Sequence, residues 1–185
     1  MTVIVGLIEH NTTYIGGDAA LTNINSGSIA LCAEPKVFFR GDYLFGWSGP
    51  VRMQNILQHI CPEPERKPEG ISLSQHLTVS WIDVLRRVFK EQGLAEIDRN
   101  REHTPNSFMV GYKGELCVVD DIYAVIQLKR NYDVLGSGMF LAEGALSYAL
   151  GYTPRLHPET KVRRALAVAA AGNAYVAPPF TILST

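Results

Sequence analysis

The run Thr2-Val3-Ile4-Val5-Gly6-Leu7-Ile8-Glu9-His10-Asn11-Thr12-Thr13-Tyr14-Ile15-Gly16-Gly17-Asp18 decides the reading of the fold. Residues 3–8 form a β-branched apolar run of strand type. Glu9-His10-Asn11 supplies a turn, and residues 12–16 return as a second strand. The chain thus opens on a hairpin. Its second strand ends in a glycine pair followed by an acid, Gly16-Gly17-Asp18-Ala19-Ala20.

Working outward, residues 21–28 are largely polar, with Gly, Asn and Ser, and predict an irregular excursion. Residues 36–39 and 43–47 flank Arg40-Gly41-Asp42 and predict a second hairpin. Gly49-Pro50 starts a helix with Val51, Ile56, Leu57 and Ile60 on its apolar face, Pro50 fitting the first turn. The proline-rich residues 62–70 read as a solvated loop. Ser72 or Ser74 caps a longer helix to about Gln92, its apolar face carrying Leu77, Trp81, Val84, Leu85 and Val88. Residues 98–105 are charged and predict an exposed connection. Strands return at residues 107–112, 116–119, 123–128 and 132–135. Gly136-Ser137-Gly138 opens a helix to about Leu150, Pro158 opens another to Ala171, and residues 180–183 form a last strand.

Hairpins dominate this order, so the sheets should be largely antiparallel. The expected fold is α+β: a four-layer α-β-β-α sandwich of two sheets with helices outside, and residues 1–185 as one domain.

Composition narrows the function. The chain has 185 residues, 46% of them hydrophobic and 19% charged, which excludes a disordered segment. A formal net charge of −1 argues against nucleic-acid binding by electrostatics. No apolar run approaches the ~20 residues of a membrane span, and the start carries no basic leader, so a cytoplasmic protein is expected. Cys32, Cys61 and Cys117 are widely spread, and the histidines lack H-E-x-x-H spacing; neither a disulfide framework nor a zinc site is indicated.

Thr2 is the residue with most chemical potential. Removal of Met1 would leave an α-amine of pKa about 7.7–8.0 beside the hydroxyl of the same residue, able to act as its general base. Many chains begin Met-Thr without using it so. Lys36, at the head of an apolar strand, reads equally as a snorkelling surface residue. Gly46-Trp47-Ser48-Gly49-Pro50 is a strand-to-helix turn, either simply tight or exposing an N–H to an oxyanion. It approaches the G-x-S-x-G elbow, but its fifth residue is Pro.

Taken together, Thr2-Val3-Ile4-Val5-Gly6, Gly16-Gly17-Asp18, Lys36-Val37, Gly46-Trp47-Ser48-Gly49, Leu135-Gly136-Ser137-Gly138 and Ala171-Gly172-Asn173 resemble, in order, the proteasome β subunits and most of all the HslV-type peptidases. The resemblance covers nearly the whole chain. It implies an N-terminal-nucleophile hydrolase with a four-layer α-β-β-α fold. Carried over residue by residue, it makes Thr2 the nucleophile and base, Asp18 and Lys36 an acid–lysine pair, and Gly49 the oxyanion donor. Asp18 would hold Lys36 charged, and that ammonium would keep the Thr2 amine neutral. Ser137 would touch the Thr2 amine, although it also reads as a helix N-cap. Thr22 would pair its backbone with an extended substrate. Ala20 and Val51 fall at the substrate site, Ala20 in place of an arginine common in the family. Trp47 either caps the pocket for the residue before the scissile bond, favouring small or medium apolar side chains, or packs in the core. Asn173 stands where the family often has Asp, Val176 where many members have a hydroxyl, and the interval from Asp18 to Lys36 is slightly longer than the family pattern. The carbonyls of Gly172, Tyr175 and Pro178 match a monovalent cation site for Na+, with no cofactor required.

The implied activity is a threonine-type endopeptidase degrading unfolded polypeptides inside a single or double ring of identical subunits, with an AAA+ unfoldase as partner. Two alternatives stay open on the residues: a non-catalytic ring or scaffold subunit, and an amidohydrolase using the same nucleophile on a small amide.

Overall fold

The computed structural model describes residues 1–23, 25–98 and 100–185. Ile24 and Arg99, inside the segments expected to be irregular and charged, lie outside the described residues. The strands run β1 (Ile4–Glu9), β2 (Thr12–Gly17), β3 (Ala20–Thr22), β4 (Ile29–Leu31), β5 (Val37–Arg40) and β6 (Tyr43–Trp47). They are followed by helices α1 (Val51–Asn55), α2 (Leu73–Ser80) and α3 (Ile82–Glu91). Next come β7 (Glu96–Asp98), β8 (Arg101–His103), β9 (Phe108–Tyr112), β10 (Glu115–Val119), β11 (Val125–Ile126) and β12 (Tyr132–Leu135). Helices α4 (Met139–Tyr152) and α5 (Pro158–Gly172) precede β13 (Thr181–Ser184).

The opening hairpin is present. His10 and Asn11 both take positive φ, 52° and 57°, as a type I′ turn requires, and β1 pairs with β2 from Ile4↔Gly17 to Glu9↔Thr12. β1 is central in a four-stranded sheet of order β12-β1-β2-β13, and a five-stranded sheet runs β11-β10-β9-β6-β5. The pairings in both are antiparallel.

Both faces of β1 are covered, which is why its sequence is apolar without alternation. Ile4 joins Ile15, Val37, Leu44, Met109 and Leu116 in a cluster drawn from both sheets. Val3, Val5 and Leu7 pack with Leu146 of α4 and with Val162 and Leu166 of α5. On the five-stranded sheet, Phe45, Trp47, Phe108 and Val110 pack against Met53, Leu77, Leu85 and Phe89 of α1 to α3.

Several expected elements differ. The expected irregular stretch 21–28 is narrower: Leu21 and Thr22 belong to β3, which pairs with β4 just beyond it, Ala20↔Leu31 to Thr22↔Ile29, with Asn23 N–H on the Ser28 carbonyl at 2.9 Å. β4 is exposed, so no apolar alternation announced it. The charged residues 98–105 likewise contain β8, paired with β7. The helix expected from Pro50 begins at Val51 and runs into a π-helical turn, Ile56–Ile60. Ser72 caps α2, accepting from Gln75 N–H at 3.1 Å. The helix expected to reach Gln92 breaks at Trp81, φ −127°. There Ser80 Oγ bonds back to the His76 carbonyl at 2.7 Å, and the Trp81 indole is anchored on the Pro62 carbonyl at 2.8 Å. Of residues 123–128 only β11 pairs, because Asp120 Oδ1 draws the Ile122 and Ala124 N–H groups into a turn. Pro158 occupies the first turn of α5 as expected. None of the described helices is long and apolar enough to cross a membrane.

Candidate active site

Thr2 lies just ahead of β1, Asp18 just after β2 and Lys36 just before β5. The β1–β2 hairpin and the packing of the two sheets therefore bring together three residues distant in sequence. All three are at most 2% exposed. Lys36 Nζ sits 2.8 Å from Asp18 Oδ1 and donates a hydrogen bond to Thr2 Oγ1. Asp18 is itself held by Val3 N–H on Oδ1 at 3.0 Å and Ala20 N–H on Oδ2 at 2.9 Å. A carboxylate tied by backbone donors on both oxygens is a rigid anchor for the lysine.

Burial pulls the Lys36 amine below its ordinary range, and this outweighs the opposing pull of Asp18. Asp18 works against that shift: its carboxylate favours the charged amine and fixes its position. The Met1 α-amine is also lowered, first by burial and then by Lys36.

Thr2 is held from the other side by the turn before α4. Thr2 N–H donates to Ser137 Oγ at 3.3 Å, Ser137 Oγ donates to the Thr2 carbonyl at 3.4 Å, and Gly138 N–H reaches that carbonyl at 3.3 Å. Ser137 is not the N-cap it resembled: α4 begins after Gly138 without a side-chain cap, and the serine hydroxyl is turned to Thr2. Gly136 has φ +91°, and a Cβ there would overlap the Thr2 carbonyl oxygen. No other residue permits that approach.

Asn173 stands one step back. Its Nδ2 donates to the Ser137 carbonyl at 2.9 Å and its Oδ1 accepts from Tyr175 N–H at 2.9 Å. The segment beyond it packs on the Asp18 turn, with Ala19 N–H on the Ala177 carbonyl at 3.0 Å and Ala177 N–H on Asp18 Oδ2 at 3.4 Å.

The Thr2–Lys36 pair opens on a cavity of about 610 Å³. Gly49 lines it at φ +129°, together with Ala20, Thr22, Val51 and Trp47. Thus Thr2, Asp18, Lys36 and Ser137 are in direct contact, and Gly49 and the four expected substrate residues share one cavity.

Chains of the same architecture are known. The chain superposes on Thiobacillus denitrificans BPH with a TM-score of 0.83 at 18% identity, covering 99% of this chain and 97% of that one. It superposes on Thiobacillus denitrificans BPH in complex with epoxomicin at 0.81, with the same identity and coverage. Eukaryotic HslV from Trypanosoma brucei matches at 0.65 and 16% identity over 98% of both chains. This is the proteasome β/HslV-like fold. No protein-family model and no curated protein matches the chain by sequence.

Within the proteasome-like fold, Trp47 stands between cavity and core. It lines the cavity, and it is also 1% exposed within the cluster under α1 to α3. Its Nε1 and Thr22 Oγ1 are buried without a hydrogen-bond partner among the described residues. Sequence reasoning missed two lining residues, Met139 at the start of α4 and Asn106. For Asn106 the signal available was the turn-forming run Thr104-Pro105-Asn106-Ser107 ahead of β9.

Proposed function

We propose that the chain is a threonine-type peptidase subunit with Thr2 as nucleophile. One observation carries this: a buried lysine bonded at once to a threonine hydroxyl and a backbone-anchored carboxylate, at the wall of a large cavity. Lys36 in its neutral form takes the Thr2 hydroxyl proton as Oγ1 adds to the scissile carbonyl, and Gly49 N–H receives the oxyanion. Removal of Met1 frees the Thr2 amine, which then acts as the base that activates water for deacylation.

The three hydrophobic clusters support the four-layer α-β-β-α ordering within one domain, residues 1–185. The neighbours' fold is in keeping with a ring of identical subunits; unfolded polypeptide as substrate, an AAA+ unfoldase as partner and the cytoplasm as compartment rest on the sequence resemblance alone. Na+ fits the carbonyls of Gly172, Tyr175 and Pro178. Carbonyl oxygens suit a hard cation, and no described backbone hydrogen bond outside the helices and strands ends on Tyr175 or Pro178. A bound cation would brace the segment that touches Asp18.

Intact mass before and after a peptide epoxyketone tests the proposal, since that warhead needs a hydroxyl and a free α-amine on one residue. The BPH structure with epoxomicin supports the choice of probe. Loss of Met1 and a single adduct, absent in Thr2→Ala, is expected. Retained Met1 with no adduct would instead favour the non-catalytic ring subunit. Retained Met1 would leave Thr2 N an amide, which cannot act as a base.

A further inference from the structure

Asn106 lies in the loop between β8 and β9 and faces the same cavity as Thr2 and Gly49. Its backbone is clamped by Thr104, whose Oγ1 donates to the Asn106 carbonyl at 2.5 Å and accepts from Asn106 N–H at 3.3 Å. Thr104 is buried, and its own N–H is tied to the Asp121 carbonyl at 2.7 Å. The side-chain amide is oriented as well. Ser107 N–H donates at 2.9 Å to Asn106 Oδ1, so that oxygen must be the acceptor and Nδ2 the free end. No described residue accepts a hydrogen bond from Nδ2. A Cβ built on Gly49 would stand 2.8 Å from Asn106 Cβ and 3.6 Å from Nδ2. An oriented donor on an exposed residue, with no described partner, therefore lies beside Gly49, the glycine read as the oxyanion donor.

We infer that Asn106 is a second oxyanion donor, Nδ2–H and Gly49 N–H sharing the substrate carbonyl oxygen. The inference rests on the peptidase reading of Thr2. In the step concerned, Thr2 Oγ1 bonds to the carbonyl carbon and its proton passes to Lys36. The carbonyl π pair moves onto oxygen, and that oxygen is the atom Asn106 meets. On collapse the pair returns, the C–N bond breaks, and the leaving nitrogen takes the proton. A donor fixed in advance at this position acts on the transition state more than on the bound substrate, so its loss falls on kcat. The position also explains why Gly49 carries no side chain: a Cβ would displace the asparagine.

The test is steady-state hydrolysis of a fluorogenic peptide by the assembled protein, comparing wild type, Thr2→Ala, Asn106→Ala and Asn106→Asp. Asn106→Ala is expected to lower kcat roughly 10²-fold, at the low end of what one oxyanion donor contributes, with KM changed less than about twofold. Asn106→Asp keeps the acceptor for Ser107 N–H and so preserves the loop even where Ala does not. It sets an anionic oxygen against the oxyanion, so its kcat should fall at least as far. Unchanged kcat in both variants, or a rise in KM alone, would overturn the role of Asn106 while leaving Thr2 as nucleophile. Wild-type turnover no faster than Thr2→Ala would overturn both.

Discussion

Lys36 Nζ lies 2.8 Å from Asp18 Oδ1 and donates its other observed hydrogen bond to Thr2 Oγ1, so one buried amine joins the acid after β2 to the hydroxyl ahead of β1. Because burial is the larger influence on that amine, the rate should depend on pH through Lys36. The amine works as a base only when neutral, so kcat/KM rises with pH through its folded pKa. That limb should sit below the ordinary lysine value of about 10.4. The linked stability has the same sign. Between the folded and unfolded pKa values the unfolded chain binds more protons, so stability rises with pH there and falls as pH drops through the folded value. A pH–rate profile checks the first statement. Urea midpoints against pH, compared with Lys36→Met, check the second: the variant should lose that slope.

Asp18 does more than hold the lysine. Its oxygens accept from Val3, Ala20 and, more weakly, Ala177 N–H groups. Asp18→Ala leaves these donors and Lys36 without their acceptor, at a cost of about 3–5 kcal/mol, in the range for breaking a buried ion pair. Asp18→Asn keeps an oxygen acceptor and should lose less stability while still losing most activity. Equal stability of Asp18→Ala and wild type in urea unfolding would contradict this account.

Gly136→Ala tests the support of Thr2 from behind. The residue has φ +91°, and an added Cβ would overlap the Thr2 carbonyl. The backbone conformation alone costs an L side chain ~1–2 kcal/mol. Relief of the overlap displaces the Thr2 backbone and with it the hydroxyl bonded to Lys36. Activity should therefore fall by more than the stability loss accounts for, as read from rates at a temperature where the variant is still folded.

A second buried lysine gives a contrast away from the site. Lys161 of α5 is 1% exposed and bonds both oxygens of Glu9, at 2.7 and 2.8 Å. Glu9→Gln leaves that lysine without its counter-charge and should cost about 3–5 kcal/mol, whereas an apolar replacement of both partners recovers much of it. Neither change should alter kcat. Paired urea titrations and rate measurements separate this structural ion pair from the reactive one.

The parts legible in the sequence are those with a local chemical cause. The β-branched run around His10-Asn11 announced the first hairpin, Ser72 and Pro158 marked helix starts, and the Gly-Ser-Gly turn marked the bracket behind Thr2. What stayed hidden depends on contacts distant in sequence. Trp81 breaks its helix because its indole bonds Pro62, which helical periodicity cannot reveal. β4 is exposed and short, so burial leaves no pattern in it. Asn106 reads as one more turn residue until Gly49 is placed beside it. The burial that lowers the Lys36 pKa is hidden for a similar reason, since it is a property of the packed sheets.

Asn173 is where a residue-by-residue comparison with proteasome-like peptidases suggests a deficit, and the geometry argues otherwise. Its Nδ2 donates to the Ser137 carbonyl at 2.9 Å, fixing the serine that meets Thr2. Asp has no donor for that carbonyl, so Asn173→Asp exchanges a hydrogen bond for two facing oxygens. The added negative charge would favour the protonated form of a freed Thr2 amine and of Lys36, raising both pKa values. The ascending limb of the pH–rate profile should move to higher pH, and activity at neutral pH should fall rather than rise. Higher neutral activity in Asn173→Asp would show that the missing charge matters more than the Ser137 contact.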